Sequence, residues 1–415
     1  MIANGAVADA PTSREEAWRY TPVAEIVART GAVTAAMRAI ATSVSRSVVD
    51  RLTGSHAGPR LVFVNGFYEA ELSDHHDLPS GLWCGLAGAH HPPAVALAAE
   101  TNNVRDIGGL FANNRTDGHD VAVVIADDGL RFDEPVHIVH VAVPDHRVAR
   151  TSVISHPRTI IDVGKGSHLA VVETYCGLDG PTVTDTSTTI RIADRAELDH
   201  CRIQVESSAA THVGHTRVEQ RESSRLRMTS ITIGADIARN AIDVHLDEPD
   251  AHTELIGVNM TTGHQRHDTV VTVDHAASRC VSTQRFAGVV DDHGRGSFSG
   301  EIIVRPFTVA TDAHQSNRNL VLDPNAEADT RPWLRILADD VRCTHGATVG
   351  RLDDDALFYL RSRGIALAAA RTMLIDAFIR DITDAIAHES VRAHVAALVA
   401  ATATGATASD TEERS

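Results

Sequence analysis

Aromatic residues are scarce in this chain, since Phe, Trp and Tyr together make up 4% of its 415 residues. Hydrophobic residues nevertheless account for 43% of the sequence, which is typical of a globular protein. The core must therefore be built mostly from Val, Ile, Leu and Ala. The length exceeds that of one typical domain and leaves room for a large core with flanking modules.

Lysine is almost absent: Lys165 is the only one, and arginine supplies the other basic side chains. The formal net charge is −17. A nucleic-acid-binding surface needs a basic patch, so this composition argues against a nucleic-acid partner.

Long hydrophobic runs are missing as well, because no stretch reaches the roughly 18 apolar residues that predict a transmembrane helix. The first residues, MIANGAVADAPTSREEAW, lack the basic and apolar segments of a signal peptide. We therefore expect no membrane partner and a cytoplasmic location.

Cysteines are few and isolated, with no CxxC spacing among them. Scattered thiols in odd number predict neither a disulfide framework nor a zinc site built from local pairs. The five are Cys84, Cys176, Cys201, Cys280 and Cys343.

Residues 1–115 form an N-terminal mixed helical region. The Ala-rich stretch VARTGAVTAAMRAIATSVSRSVVDRL has the apolar spacing of a helix. The run LVFVNGFYEAEL predicts two short strands around the turn Asn65-Gly66.

Residues 116–350 are dominated by short β-branched runs such as VAVVIA, HLAVVETY and DTVVTVDH, separated by turn residues. No segment of helical period interrupts them, which argues against a doubly wound α/β fold. A sandwich or barrel and a β-solenoid remain. The low aromatic content and many Val, Ile and Thr favour the solenoid, a mainly β fold of stacked coils.

Residues 351–402 return to a helical pattern. Leu374, Phe378, Ile382 and Ile386 lie four apart and predict one apolar stripe, widened by Ile375 and Ile379. Gly364 is expected to separate this helix from an earlier one over DDALFYLRSR. The small and polar residues 403–415 predict a disordered tail.

The segment DDVRCTHGATVG places Cys343 and His345 two positions apart. On a strand such residues share a face, so a thiol and an imidazole can be offered to iron or another metal together. Two ligands do not complete a site, which would need another chain, a substrate or a cofactor. The alternative is that both residues simply belong to a turn or to the core.

Other candidate residues favour a structural role. The histidine clusters, of which none has HExxH spacing, are HIVH (His137, His140), GHQRHD (His264, His267, Asp268) and Asp274-His275. A second hypothesis is a β-solenoid carbohydrate-active enzyme, whose catalytic carboxylates would come from acids such as Glu173, Asp339 and Asp340. The Gly-rich segment GRGSFSG lacks the Lys-Ser/Thr ending of a P-loop.

One long block carries a specific resemblance. The sequence TDAHQSNRNLVLDPNAEADTRPWLRILADDVRCTHGATVGRLDDDALFYLRSRGI resembles the signature region of the SufD family, whose members belong to the SUF iron–sulfur cluster assembly system. Upstream segments that also resemble the family are EEAWRYTPV, LVFVNGFYEAELS, SHPRTIIDVG and DTVVTVDHAASRCVSTQRFAGVV.

The resemblance implies a right-handed parallel β-helix core between helical regions. It implies a non-catalytic scaffold subunit that pairs with the paralogous SufB and binds the ATPase SufC through its C-terminal helices. It also assigns His345, with Cys343 beside it, to the interface with SufB, where a transient iron–sulfur cluster or iron is handled and none is tightly bound. The alternative within the family is a SufB-like paralogue that acts as a homodimeric scaffold. Without its partners, the isolated chain is also expected to be able to form a homodimer.

Overall fold

The computed structural model describes residues 11–12, 14–31, 33–35, 44–54, 57–88, 91–102, 120–145 and 152–403. Within these residues a 3-10 turn covers Glu16–Trp18. The α-helices are α1 (Val23–Gly31), α2 (Arg46–Thr53), α3 (Pro92–Asn102), α4 (Asp354–Ser362), α5 (Leu367–Thr383) and α6 (Glu389–Ala403).

The strands fall into an N-terminal group and a long regular series. The first group is β1 (Val33–Ala35), β2 (Arg60–Val64), β3 (Phe67–Tyr68), β4 (Leu82–Leu86), β5 (Val121–Ala126), β6 (Val136–Ala142), β7 (Ser152–Ser155) and β8 (Arg158–Val163). The series is β9 (His168–Gly177), β10 (Thr182–Ile192), β11 (Glu197–Val205), β12 (Thr211–Gln220), β13 (Arg225–Ile233), β14 (Ile237–Leu246), β15 (His252–Thr261), β16 (Arg266–His275), β17 (Val281–Val290), β18 (Arg295–Val304), β19 (Thr311–Val321), β20 (Glu327–Ile336) and β21 (Val341–Gly350).

Successive strands alternate between two sheets. One sheet runs β20-β18-β16-β14-β12-β10-β8-β5-β4, and the other runs β21-β19-β17-β15-β13-β11-β9-β6-β2-β3. Every neighbouring pair from β8 to β20 and from β6 to β21 is parallel. The chain is therefore a β-solenoid of about seven turns, as predicted, and not a sandwich or barrel.

The coils differ slightly in length, which hides the repeat in the sequence. On β12, Thr211 pairs with Ile237 of β14. On β18, farther along the solenoid, Arg295 pairs with Glu327 of β20, so this coil is longer. Each coil thus takes about 30 residues, without a strict period.

A lumen lies between the two sheets and holds the main hydrophobic core. It is filled by aliphatic side chains from both sheets, as the composition required; examples are Leu61, Val124, Ile161, Val171, Ile190, Leu198, Ile242 and Val271. Layers of inward-pointing side chains stacked in register bury one another, which stabilises each coil on its neighbours.

In the N-terminal region, one prediction from the sequence is confirmed and another is wrong. The hairpin prediction is confirmed: β2 and β3 are antiparallel around Asn65-Gly66, and both turn residues have positive φ. The Ala-rich stretch is not one helix. Helix α1 ends at Gly31, and Val33–Ala35 pairs with β7, where β-branched residues favour extended backbone. Residues 36–43 of this stretch lie outside the described residues.

The C-terminal helices follow the predicted boundaries closely. The Asp353 carboxylate caps α4 by accepting hydrogen bonds from the amides of Asp355 and Ala356. Gly364, with φ of 86°, separates α4 from α5.

Helix α5 buries a stripe slightly rotated from the predicted one. Ile375, Ile379 and Ile382 are buried against the outer face of the β21-containing sheet, whereas Leu374 and Phe378 lie at the margin. The final tail beyond Ala403 is outside the described residues. In the part of the chain that the structure describes, no helix is long and apolar enough to cross a membrane.

Candidate functional site

The solenoid is open at its C-terminal end. Among the described strands, β20 pairs only with β18 and β21 only with β19, so both outer edges have unpaired backbone groups. Strand β21 offers ten residues without proline, whereas Pro332 interrupts the donor row of β20. A long unpaired edge is a template for strand addition from another chain.

The last coil also leaves apolar side chains at this open end. Leu334, Ile336 and Val341 pack on the buried Ile302 and Val304 of the coil beneath but are only half-buried. Terminal coils of solenoids normally end in a polar cap, whereas an uncapped apolar layer is typical of interaction surfaces.

Cys343 and His345 lie on β21 and share a face, as their spacing predicted. In the parallel register Cys343 is paired with Ala313, and His345 with Gln315. Since Ala313 and Gln315 are both buried inside the solenoid, the two β21 residues lie on the lumen face of the last strand. They are therefore part of neither a turn nor a closed core.

The electrostatic settings of the pair differ. Burial raises the pKa of the Cys343 thiol, and the negative charge of Asp312 raises it further. The thiol is therefore protonated at neutral pH unless a metal or a positive group arrives. His345 is exposed, and its imidazole has no hydrogen-bonding partner among the described residues.

The outer face of the same strand pair carries a hydrogen bond and an ion pair that share His314. His314 Nδ1 is 2.7 Å from Thr344 Oγ1, and His314 Nε2 is 2.8 Å from the Asp312 carboxylate. Thr344 lies between Cys343 and His345 in the sequence, so the contacts of His314 with Thr344 and Asp312 help to hold the strand segment that carries both residues.

No cluster of three or more His, Cys, Asp or Glu side chains suited to a metal ion occurs in the described part of the chain. Cys343 and His345 alone offer two ligands, fewer than iron or zinc requires. Any metal or cluster handled here would need ligands from a second molecule.

The histidines and acids of the GHQRHD and Asp274-His275 clusters have structural roles. His267 is buried with Nε2 3.4 Å from the Ala235 carbonyl, and His275 Nε2 is 2.8 Å from Ser282 Oγ. Asp274 forms an ion pair with Arg305.

Asp268 anchors the N-terminal segment. Its carboxylate accepts hydrogen bonds from Arg239 and Thr21, and the Arg239 guanidinium stacks on the Trp18 ring at 3.7 Å. These contacts explain why part of the EEAWRYTPV segment packs on the outer face of the solenoid. His264 remains exposed in a turn, where it stacks on His293.

The lumen of the early coils contains a polar network that the sequence did not reveal. Arg202 Nη2 lies 2.5 Å from His212 Nε2, and His212 Nδ1 lies 2.6 Å from Glu206. A guanidinium only donates, so His212 Nε2 accepts and Nδ1 carries the proton that is donated to Glu206. Side chains along a strand point alternately into the lumen and outward. From the sequence alone, a polar residue that points into the lumen therefore cannot be distinguished from one that faces solvent.

Glu173 belongs to the same network. It accepts hydrogen bonds from Tyr175 and Thr188, and His200 and His140 lie 3.5 and 4.0 Å away. Burial alone would raise its pKa, but hydrogen bonding and charge from His200, with His140, lower it to about 2.

This placement separates the carboxylates of the carbohydrate-active hypothesis. Glu173 is fully buried in the lumen of the early coils, whereas Asp339 and Asp340 lie in the turn before β21. They cannot flank one glycosidic bond.

Comparison with known proteins accounts for this combination of solenoid and open end. The model of the family described as "SUF system FeS cluster assembly, SufBD core domain" matches residues 146–378, more than half of the chain. The chain belongs to the SufBD family. The resemblance noted from the CTHGAT block is thereby confirmed, and the SufBD core coincides with most of the solenoid and the start of the C-terminal helices.

Relatives cover nearly the whole length. The chain is 30% identical over 391 residues to the iron–sulfur cluster assembly protein SufD of Escherichia coli, covering 94% of this chain and 88% of the relative. It is 32% identical over 390 residues to an iron–sulfur cluster assembly SufBD family protein of Synechocystis, covering 91% and 84%. It is 28% identical to the chloroplastic protein ABCI7 of Arabidopsis thaliana, covering 92% and 80%. A role in iron–sulfur cluster assembly follows from this family.

Proposed function

We propose that this chain is a non-catalytic scaffold subunit of an iron–sulfur assembly complex. Its open end pairs with a SufB-type solenoid, and its C-terminal helices bind a SufC-type ATPase. His345, together with Cys343, meets thiolate and carboxylate ligands from SufB, so that iron or a nascent cluster is held between the two chains as cargo. Soft thiolates and imidazole are suitable ligands for iron–sulfur chemistry.

The observation that carries this proposal is the open end itself. Among the described residues, two terminal strands leave their outer edges unpaired, and the last coil carries both an uncapped apolar layer and the exposed His345 imidazole, which has no hydrogen-bonding partner there. A second solenoid that adds strands to both sheets would satisfy the backbone groups, cover the apolar layer and complete the two-ligand site in one step. In isolation the same edges can pair with a second copy of this chain.

The C-terminal helices supply the surface for the ATPase. Their buried side attaches to the solenoid through Ile375, Ile379 and Ile382, which leaves the other side exposed. Large apolar side chains lie there without cover: Phe358 is 74% exposed, Tyr359 56%, Met373 49% and Leu367 46%. Such a group of exposed apolar residues on α4 and α5 is typical of a protein interface.

The test of the site is coexpression with candidate SufB and SufC chains, followed by anaerobic purification and spectroscopy of the reconstituted cluster. We expect His345→Ala to leave the complex intact but to abolish most of the cluster signal. The matched control is His264→Ala, which removes an exposed histidine from a turn away from the open end. Undiminished cluster assembly in the His345→Ala complex would show that the assigned role is wrong.

The ATPase surface is tested separately by copurification. Phe358→Ser with Tyr359→Ser should release the ATPase, while Val95→Ser, at a comparably exposed position on α3, should retain it. Full retention of the ATPase by the double variant would contradict docking at α4.

A further inference from the structure

Beneath His345, the lumen contains a column of hydrogen-bonding side chains. Gln284 of β17, Gln315 of β19 and His345 of β21 occupy successive in-register positions on the same face. Neighbouring strands lie about 4.8 Å apart, so each side chain stands directly over the next.

The two glutamines are deeply buried and bonded to each other. Gln284 is 0% exposed and Gln315 3%, and Gln315 Nε2 donates to Gln284 Oε1 at 2.7 Å. Gly300 of the opposite sheet makes room for this amide, because a Cβ there would lie 2.1 Å from Gln315 Nε2. The column is thus built into the fold, and the Gln315 side chain is held in place by Gln284 below it and by the space at Gly300.

This bond leaves one acceptor without a partner. Gln315 Oε1 is buried and receives no hydrogen bond from any described residue, although its neighbour in the column, His345, carries a ring N–H that is also unpartnered. A buried acceptor without a donor is costly, and water at the open end relieves that cost only while the end stays uncovered. Gln284 Nε2 is a second buried atom without a partner among the described residues, but the Gln284 amide already meets Gln315 through its oxygen. Once a partner coil excludes the water, His345 is the in-register donor on the open side of Gln315.

We propose that Gln315 positions His345. In the assembled complex its amide oxygen accepts a hydrogen bond from one ring N–H of His345, which fixes the ring and its tautomer and turns the other ring nitrogen toward the cargo. This inference rests on the proposed function, because it assumes that a partner covers the open end. Ligating histidines are commonly oriented in this way by an oxygen acceptor on the second nitrogen.

The test uses the full chain in the reconstituted complex with SufB and SufC, and measures cluster loaded per purified complex. Gln315→Leu removes the acceptor and should lower loading about tenfold or more, the usual effect of losing such a partner. Gln315→Glu keeps an oxygen acceptor and should restore most of the loading. Ser316→Leu, on the next residue and the outer face, is the control and should load normally.

A double variant separates positioning from simple damage to the fold. If Gln315 acts through His345, Gln315→Leu combined with His345→Ala should load no less than His345→Ala alone. If Gln315→Leu fails to assemble, Gln315→Met, closer in shape and also lacking the amide oxygen, takes its place.

The outcomes distinguish the two proposals. Normal loading in Gln315→Leu or Gln315→Met, with loss in His345→Ala, overturns the positioning role alone. The positioning role is also overturned if the double variant loads less cluster than His345→Ala by the same factor by which Gln315→Leu alone lowers loading. Normal loading in His345→Ala overturns the proposed site itself.

Discussion

At the scale of single residues, burial decides which polar groups can react. Four of the five thiols are buried, and burial raises the pKa of Cys84 and of Cys201 to about 12. Cys343 is the partly exposed one, at the edge of the open end. The cysteine count alone did not single it out, whereas its position on the terminal strand does.

We therefore expect a thiol reagent to modify one cysteine in the native chain. Under non-denaturing conditions the label should reach Cys343 and spare the other four, because a thiol buried in an apolar core is neither accessible nor ionised. Peptide mass spectrometry identifies the site. Cys343→Ser should abolish the rapid labelling of the native chain. Rapid labelling of Cys176 or Cys280 would contradict the burial pattern.

Three buried imidazoles predict how stability depends on pH. Burial lowers the pKa of His140, His267 and His275 to about 4, below the ordinary value of 6.5 that applies to the unfolded chain. Between pH 6.5 and 4 the unfolded state therefore binds more protons than the folded state, so the free energy of unfolding falls as pH falls through this window. Urea unfolding at pH 7 and pH 5 measures the difference.

The same experiment has an internal control. His275→Gln can keep a hydrogen bond to Ser282 but cannot titrate, so its free energy of unfolding should depend less steeply on pH. Glu173 lowers the free energy of unfolding in the same direction, but only as pH falls towards 4.5, where the unfolded carboxyl binds protons while the folded one, with a pKa of about 2, stays ionised. An unchanged slope in His275→Gln would mean that this imidazole titrates normally in the folded protein.

At the scale of elements, β21 combines a free edge with a lumen face that has nothing above it. Val349 illustrates this: it is in register with the buried Asn319, yet 53% of it is exposed. In a covered coil that position would be fully enclosed. The terminal strand is therefore already folded in the geometry that a following coil would need.

Val349→Glu should block partner pairing without unfolding the chain. The carboxylate is solvated in the isolated protein, but docking would bury it without a counter-charge, which is strongly unfavourable. We expect the affinity for the SufB chain to fall at least about tenfold. Val95→Glu, at a position 49% exposed on α3, is the control, and equal binding by both variants would place the interface elsewhere.

The elements also show what a sequence can reveal. β-Branched runs and the absence of helical periods predicted the solenoid, and the acids before α4 and Gly364 predicted the helix boundaries, because these are local signals. The end of α1 at Gly31 was missed because Val33–Ala35 takes its conformation from β7, far along the chain. The placement of His345 above Gln315 was likewise invisible, because it depends on register between strands thirty positions apart.

At the scale of the whole molecule, a solenoid is stabilised coil by coil. Each central coil has neighbours on both sides, whereas β20 and β21 each pair with one strand among those that the structure describes. The free energy of local opening should therefore be lowest in the last coil.

Hydrogen exchange with mass spectrometry measures this gradient. Amides of β20 and β21 should exchange faster than those of β13–β16 in the isolated chain, and binding of the SufB chain should slow them selectively. Uniform protection along the solenoid, or slowing confined to the early coils, would contradict pairing at the open end.

The two ends of the solenoid are unequal, and this limits growth. At the far end the sheets finish in the two-residue β3 and the five-residue β4, both antiparallel to their neighbours, instead of in long parallel edges. If the open end pairs with a second solenoid as proposed, a chain that can be extended in one direction only would end assembly after a single addition. Topology would then set the stoichiometry at two solenoids and prevent a filament.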